Sequence, residues 1–222
     1  MLEQFQTFLA TNPSEDAMNR KVDTIYEKWG TQTTERGTKI KNFDALTESI
    51  DAAVQLPEGY FRQQLLENAA SVLMDYMRDR KAAYEPLDYL VECMQNLTSE
   101  HAITRFLDWC RWRADFESDG DLEWVLDQTG ILGELQPLTE DNLATIIGLV
   151  SRDETAGFED YSELIVNHPN STSRTLRALW KEIRDSGRED SYITYTATVI
   201  AESNKTPDDL KEDVTTYLTD NA

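Results

Sequence analysis

Two stretches of this chain match each other: Ile165–Thr172, with the sequence IVNHPNST, and Val199–Thr206, with the sequence VIAESNKT. Both lead through a polar turn into a helix start of the form Thr-x-x-x-apolar, in which the threonine is suited to cap the first helical turn. Earlier starts of the same form follow Thr98 and Thr139, so the successive intervals are 41, 33 and 34 residues. Repetition at such intervals is typical of stacked helical hairpins.

The rest of the chain also has the pattern of helices. Apolar residues recur at helical spacing in nearly every segment, and Pro13, Gly30 and Pro57 mark boundaries between segments. Two segments are less regular. Residues 31–38 are polar without periodicity, and we expect a loop there. Residues 191–200 have the β-branched content of a strand but the position of a helix in the repeat, and we favour helix.

These patterns predict an all-α protein, with antiparallel helical hairpins stacked as a short α-solenoid-like or irregular helical domain. We expect residues 1–56 to form an N-terminal helical cap and residues 57–222 to form the helical-hairpin repeat region, the two making one continuous structural unit. An irregular helical domain that reuses a threonine cap would carry the same motif, because such a cap stabilises any helix.

Residues 164–214 resemble the helical repeats of the HEAT-like and leucine-rich-variant families. The resemblance depends on the turn His168–Thr172, followed by Leu176 and Leu179 at helical spacing. Earlier units depart from the family pattern, since they lack the Pro-Asn turn and one has Ala102 where leucine is expected. The resemblance implies a right-handed stack whose concave face binds a protein or nucleic acid.

The composition is strongly acidic. The chain has 42 Asp and Glu residues against 21 Lys and Arg residues, a net charge of -21, and only eight of the cations are lysines. Such a composition is similar to that of proteins from salt-in halophiles, notably haloarchaea and their viruses. An ordinary acidic protein of a low-salt cell and a DNA-mimicking inhibitor are alternatives. A mimic usually concentrates its carboxylates on one face, whereas here they are spread along the whole chain.

The cysteines and the apolar segments favour an intracellular location. Cys93 and Cys110 lie within helical patterns, where reduced, packed thiols are expected rather than a disulfide. The N-terminus has no basic segment followed by an apolar run, and no apolar run approaches the roughly 20 residues that span a bilayer. We therefore expect a cytoplasmic protein or a virion component, without membrane association.

Catalytic and cofactor motifs do not stand out. The sequence contains neither G-x-S-x-G nor G-x-x-x-x-G-K-[ST], so we expect no enzyme activity and no cofactor. We expect instead a binding or assembly module whose partner is a protein or a second copy of the chain. Aromatic and arginine side chains dominate interface energetics. The candidate partner-binding residues are therefore Trp112, Arg113, Arg177 and Trp180.

A winged-helix DNA-binding regulator is the alternative. The segment 173–186 follows a turn and carries Arg174, Arg177 and Lys181, as a recognition helix would. Residues 192–200 would then form the wing. The net charge of the chain opposes DNA binding at ordinary salt, which makes nucleic acid the less favoured partner.

One acidic stretch has features of a calcium-binding loop. Asp115, Glu117, Asp119 and Glu123 supply oxygen atoms at the first, third, fifth and ninth loop positions. The twelfth position is Leu126, where a bidentate glutamate is needed. We therefore interpret this stretch as an acidic turn between two helices and expect no metal site.

Molar KCl should stabilise the protein if the acidic surface is an adaptation to salt, because the Debye length falls to about 3 Å at 1 M and self-repulsion is screened. We expect the melting temperature to rise by about 2–4 °C for each kcal/mol of stability gained. Circular dichroism melts over a KCl series would measure the change. A melting temperature that is constant or falls with KCl would contradict the halophilic interpretation.

Overall fold

The computed structural model describes residues 1–34, 37–77, 84–116, 131–150, 158–187 and 189–221. Within these ranges the chain forms twelve helices and one two-stranded antiparallel sheet, so the protein is all-α as predicted. In chain order the elements are α1 (Leu2–Leu9), α2 (Glu15–Trp29), β1 (Gln32–Thr34), β2 (Gly37–Lys39), α3 (Phe43–Val54), α4 (Tyr60–Met77), α5 (Tyr84–Gln95), α6 (Glu100–Phe116), α7 (Ile131–Glu134), α8 (Glu140–Val150), α9 (Phe158–Asn167), α10 (Ser173–Asp185), α11 (Asp190–Glu202) and α12 (Asp208–Asp220).

Two of the four threonines in the repeated pattern cap the helices that follow them. Thr172 accepts hydrogen bonds from the backbone N–H groups of Arg174 and Thr175. The Thr175 side chain in turn accepts the Thr172 N–H, which completes a capping box at the start of α10. Thr139 accepts the N–H of Asn142 at 3.2 Å in the first turn of α8.

The other two threonines precede helices without capping them. Ser99, rather than Thr98, accepts the N–H of Ala102 at the start of α6. Thr206 donates its hydroxyl to the carbonyl of Ile200, and α12 begins without a side-chain cap. The sequence pattern therefore locates all four helix starts, although the capping expected of threonine is present at only two of them.

The chain divides into two compact units. Unit 1 comprises Met1–Phe106 with Leu135–Pro137, and unit 2 comprises Leu107–Glu134 with Leu138–Ala222. Residue 56, the expected end of the N-terminal cap, lies inside unit 1, between α3 and α4. Among the described residues, no helix is both long enough and apolar enough to cross a membrane.

Helix α4 is the centre of unit 1. It contacts α2, α3 and α5, and it buries Phe61, Leu65 and Leu73 among its apolar residues. At the end of α2, Trp29 is fully buried, and its indole N–H donates to the Ser49 hydroxyl of α3 at 3.1 Å. The hydrogen bond satisfies the polar atom of a side chain that would otherwise lose its water partner on burial.

The prediction of a loop at residues 31–38 is wrong in part, because this region contributes to a short antiparallel pair of strands. Strand β1 pairs with β2 in antiparallel register, with Thr33 opposite Thr38, and β2 contacts α4. Thr38 is buried although the segment is polar. Threonine is β-branched and favours strands, but three-residue strands are too short for their alternation to be recognised in a sequence.

In unit 2, helices two positions apart pack against each other. Helix α8 contacts α10, and α9 contacts α11, while consecutive helices from α8 to α12 are also in contact. This is the arrangement expected of antiparallel hairpins stacked side by side, with one layer containing α8 and α10 and the other containing α9 and α11.

Hydrogen bonds between successive hairpins of unit 2 join residues that are about one repeat interval apart. Trp180 donates to Asp213, 33 residues later, at 2.6 Å. Ser162 and Thr196 share a buried hydrogen bond at 2.9 Å and are 34 residues apart. These separations match the intervals of 33 and 34 residues between the threonine motifs.

The helix favoured for residues 191–200 is confirmed, since these residues lie within α11. Its buried residues are Ile193, Thr196, Ala197 and Ile200, which have the spacing of one helical face. Burial of this face against α9, α10 and α12 outweighs the strand preference of the β-branched side chains.

The hydroxyl pair of Ser162 and Thr196 provides a test of the contact between α9 and α11. Ser162→Ala should lower the free energy of unfolding by about 1–3 kcal/mol, because the buried Thr196 hydroxyl loses this partner. Thr196→Val should have a similar effect. The double variant should lose less than the sum of the two, since neither polar group of the pair is then stranded. Urea unfolding of all four proteins measures the coupling, and strictly additive losses would show that the pair does not couple the helices.

Candidate functional site

The basic helix α10 is amphipathic. Leu176, Leu179 and Ile183 are fully buried, whereas the basic residues of the helix are all exposed. The exposed basic residues are Arg174, Arg177, Lys181 and Arg184. Their spacing of three or four residues places them along one side of the helix, as the sequence indicates.

Arg177 is paired within the chain. Its guanidinium donates to both carboxylate oxygens of Asp209 on α12, at 2.7 and 2.6 Å. The hydrogen bond from Arg177 holds the pKa of Asp209 below its ordinary value. Because both side chains are exposed, the pair positions α12 more than it stabilises the fold.

Trp180 is buried, so it is not available as a surface anchor. Its indole N–H donates to Asp213 of α12, and its ring meets the edge of Tyr217 at a centroid distance of 5.4 Å. Arg184 lies over the Trp180 ring at 5.4 Å and donates to the same Asp213 carboxylate at 3.2 Å. The aromatic residue that we predicted to bind a partner instead joins two helices of unit 2.

Arg113 is also buried. It is 7% exposed, and its guanidinium carbon lies 5.9 Å from the centre of the Trp109 ring in the preceding turn of α6. Trp112 is half-buried. Of the four candidate partner-binding residues, Trp180 and Arg113 are therefore buried, Arg177 is exposed but paired, and Trp112 is partly accessible.

Only part of the geometry expected of a winged-helix DNA-binding protein is present. Arg174 and Lys181 are exposed, and neither forms an ion pair within the described part of the chain. Residues 192–200 belong to helix α11 and do not supply the strands of a wing. The cationic surface is further reduced by Asp209 and Asp213, which neutralise Arg177 and Arg184.

The calcium-loop residues Glu117, Asp119 and Glu123 lie outside the described residues, and Asp115 belongs to the last turn of α6. Within the described ranges, no group of three or more His, Cys, Asp or Glu side chains is arranged to hold a metal ion. Cys93 and Cys110 are free, fully buried thiols, and burial raises the pKa of both well above its ordinary value. Such thiols are poor nucleophiles at neutral pH.

An open cleft of 510 Å³ lies within unit 2, between α8, α10 and the C-terminal part of α6. Its lining includes three small residues, Ala144 and Gly148 of α8 and Ala178 of α10. A Cβ atom added at Gly148 would have no heavy atom within 4 Å. The small side chains therefore leave space between the helices that larger residues would fill.

Charged groups of both signs line this cleft. Arg111 comes from α6, while Glu182 and Asp185 come from the last turns of α10. Among the described residues, none of the three forms an ion pair. The cleft thus combines small residues with charged groups that remain available to a bound partner, and it is more polar than a typical small-molecule pocket.

Our sequence reasoning missed this cleft because its floor carries no chemical signal. Alanine and glycine at Ala144, Gly148 and Ala178 are ordinary helix residues in a sequence. The spacing of Ala144 and Gly148 by four residues places both on one face of α8, and this spacing is the signal that could have indicated a groove. The aromatic and arginine residues that attracted attention mostly face other parts of the chain.

His168 occupies a buried turn between α9 and α10. It is 6% exposed, and its Nδ1 atom accepts the backbone N–H of Asn170 at 3.2 Å. The neutral ring must then carry its proton on Nε2, which has no hydrogen-bond partner among the described residues. Burial first, and the charge of Lys205 second, hold the pKa of His168 below its ordinary value of 6.5.

No family model matches this chain, and neither a curated protein nor a solved structure is significantly similar to it. Its function must therefore be inferred from the geometry of the chain itself.

Stability should fall as the pH drops below 6.5 because of His168. The unfolded chain takes up a proton near this pH, whereas the folded protein, with its lowered pKa, resists protonation. The stability present above pH 6.5 is thus lost as the pH falls towards the folded pKa, with a slope of at most about 1.4 kcal/mol per pH unit.

His168→Asn removes this titration and retains an acceptor near the position of Nδ1. Urea unfolding between pH 7.5 and about 5 should show a shallower pH dependence for this variant than for the wild type. His101→Asn is the matched control, since His101 is the other histidine of the chain and is exposed. Equal slopes for His168→Asn and the wild type would contradict the assignment.

Proposed function

We propose that this chain is a non-catalytic binding or assembly module, which holds a protein partner in the cleft between α8 and α10. The observation that carries this proposal is the cleft itself, with its small residues and with Arg111, Glu182 and Asp185, which form no ion pair in the described part of the chain. The stacked hairpins of unit 2 support it, because helical repeats position extended binding surfaces on adjacent helices.

Large exposed apolar side chains are scarce on the described surface. Tyr60 is the one large apolar side chain that is classed as exposed within the described ranges, and its hydroxyl donates to Asn19. A large apolar interface of the kind found in obligate dimers therefore has no counterpart in these ranges. A polar surface with a concave site between helices fits a partner that binds through a projecting segment.

The proposed setting is a high-salt cytoplasm or the particle of a halophilic virus. The net charge of -21 and the scarcity of lysine support this setting. Homo-oligomer formation through the same cleft is included in the proposal, since a second copy of the chain is also a protein partner. Among the three basic residues named for it, the DNA-binding alternative would depend on Arg174 and Lys181, because Arg177 is paired. The DNA-mimic alternative would need its carboxylates concentrated on one face, whereas they are spread along the whole sequence.

A cleft-blocking variant tests the proposal. Gly148→Trp places a bulky side chain where the backbone has open space, so the helix should fold while the cleft is filled. Gly59→Trp is the matched control, because its site in unit 1 also has no heavy atom within 4 Å of an added Cβ. Circular dichroism in molar KCl would verify that both variants are folded.

The three proteins would be immobilised in molar KCl and exposed to native lysate with and without nuclease treatment, and retained proteins would be identified by mass spectrometry. We expect a protein that wild type and Gly59→Trp retain and that Gly148→Trp loses. Retention of the same proteins by all three would contradict a partner site in the cleft. Binding that disappears on nuclease treatment would favour the nucleic-acid alternative.

A further inference from the structure

Two cations of helix α10 are paired outside the cleft. Arg177 and Arg184 bind Asp209 and Asp213 of α12, and neither arginine lines the cleft. Glu182 and Asp185 line the cleft on the side that includes α8.

Lys181 does not pair with the cleft residue Asp185. The two residues are four positions apart on α10, but no ion pair joins them in the described part of the chain. Arg177 and Arg184 are paired with carboxylates of α12, so no cation of α10 pairs with Glu182 or Asp185 among the described residues. Glu182 and Asp185 are therefore available to pair with a cationic group that enters the cleft.

The end of α10 reinforces this negative potential. The helix ends at Asp185, so the carbonyl groups of its last turn lie beside the two carboxylates. The C-terminal end of a helix carries a partial negative charge, which favours cations. This wall of the cleft thus attracts a positively charged group for two independent reasons.

Arg111 of helix α6 brings a positive charge to the cleft and attracts an anionic group. A guanidinium presents several N–H donors in one plane and suits a carboxylate better than any other common group. Arg111 is exposed and is not ion-paired among the described residues. One cation and two carboxylates around the cleft complement a ligand with one carboxylate and two cations.

We propose that the occupant of the cleft is a polypeptide segment of the partner that presents two basic side chains to Glu182 and Asp185 and one carboxylate to Arg111. This inference rests on the proposed function and names the chemistry of the bound segment. The floor of Ala144, Gly148 and Ala178 lets the backbone of the segment approach closely, and the volume of 510 Å³ accommodates a few side chains rather than a whole domain.

Labelled alanine-based peptides test the inference. One set carries one glutamate and two lysines at different spacings, and a second set carries one lysine and two glutamates at the same positions. Fluorescence anisotropy is measured at the lowest KCl concentration at which circular dichroism shows a folded protein, because salt screens the charges. We expect at least one peptide of the first set to bind at least about tenfold more tightly than its charge-inverted counterpart.

The strongly negative net charge attracts any basic peptide, so the control must have the same charge. Glu182→Lys/Asp185→Lys changes the charge inside the cleft, whereas Glu212→Lys/Asp220→Lys changes it equally on α12, outside the cleft. The first double variant should lose the tenfold preference, and the second should keep it. Glu182→Gln/Asp185→Asn repeats the test with uncharged side chains if the lysine variant fails to fold.

Equal effects of the two double variants would overturn the inference, because attraction would then depend on net charge alone. Absence of any preference in the wild type would overturn it as well. The peptide inference can fail while the proposed function holds. A partner that Gly148→Trp loses and Glu182→Lys/Asp185→Lys retains would leave the cleft as the binding site and reject the charge pattern assigned to its occupant.

Discussion

Helices α8 to α12 of unit 2 each have one apolar stripe that must be buried against the neighbouring hairpin, and this constraint organises the described part of the unit. Leu176, Leu179 and Ile183 of α10 are fully buried, as is Ile200 of α11, so each hairpin completes the core of the next. A single hairpin could not bury its stripe alone. The polar contacts between hairpins, including the hydrogen bond from Trp180 to Asp213, then select the relative alignment of helices that the apolar stripes bring together.

Much of this fold could be predicted from the sequence, because helix starts and apolar spacing are local properties. The threonine pattern located α6, α8, α10 and α12, and the repeat position of residues 191–200 decided correctly between helix and strand. The hairpin at β1 and β2 was not predicted, since its strands are too short to establish a period. The cap predicted for α6 was also wrong. Ser99, rather than Thr98, accepts the hydrogen bond at the start of the helix, because the neighbouring serine is equally suited to capping.

The candidate site was harder to predict than the fold, for a physical reason. A tryptophan or arginine has the same appearance in a sequence whether it faces solvent or a neighbouring helix, and Trp180 and Arg113 are both buried. The cleft, in contrast, exists because Gly148 of α8 has no side chain. Empty space between helices leaves no recognisable pattern in the sequence. Tertiary partners such as Asp213 decide which polar residues remain available, and these partners are distant in the sequence.

Most side-chain hydrogen bonds between the described hairpins of unit 2 join residues 32 to 34 positions apart, which makes the unit modular. Thr172 donates to Glu140 across 32 residues, and the corresponding bonds further along span 33 and 34 residues, so each hairpin contacts its successor at almost the same separation. Duplication of a complete hairpin would preserve these partnerships, because every residue would meet its counterpart one interval later. Insertion of a single residue inside α10 would instead rotate the following positions by about 100° and break them. Growth of such a chain in evolution, or by design, is therefore expected in whole hairpins.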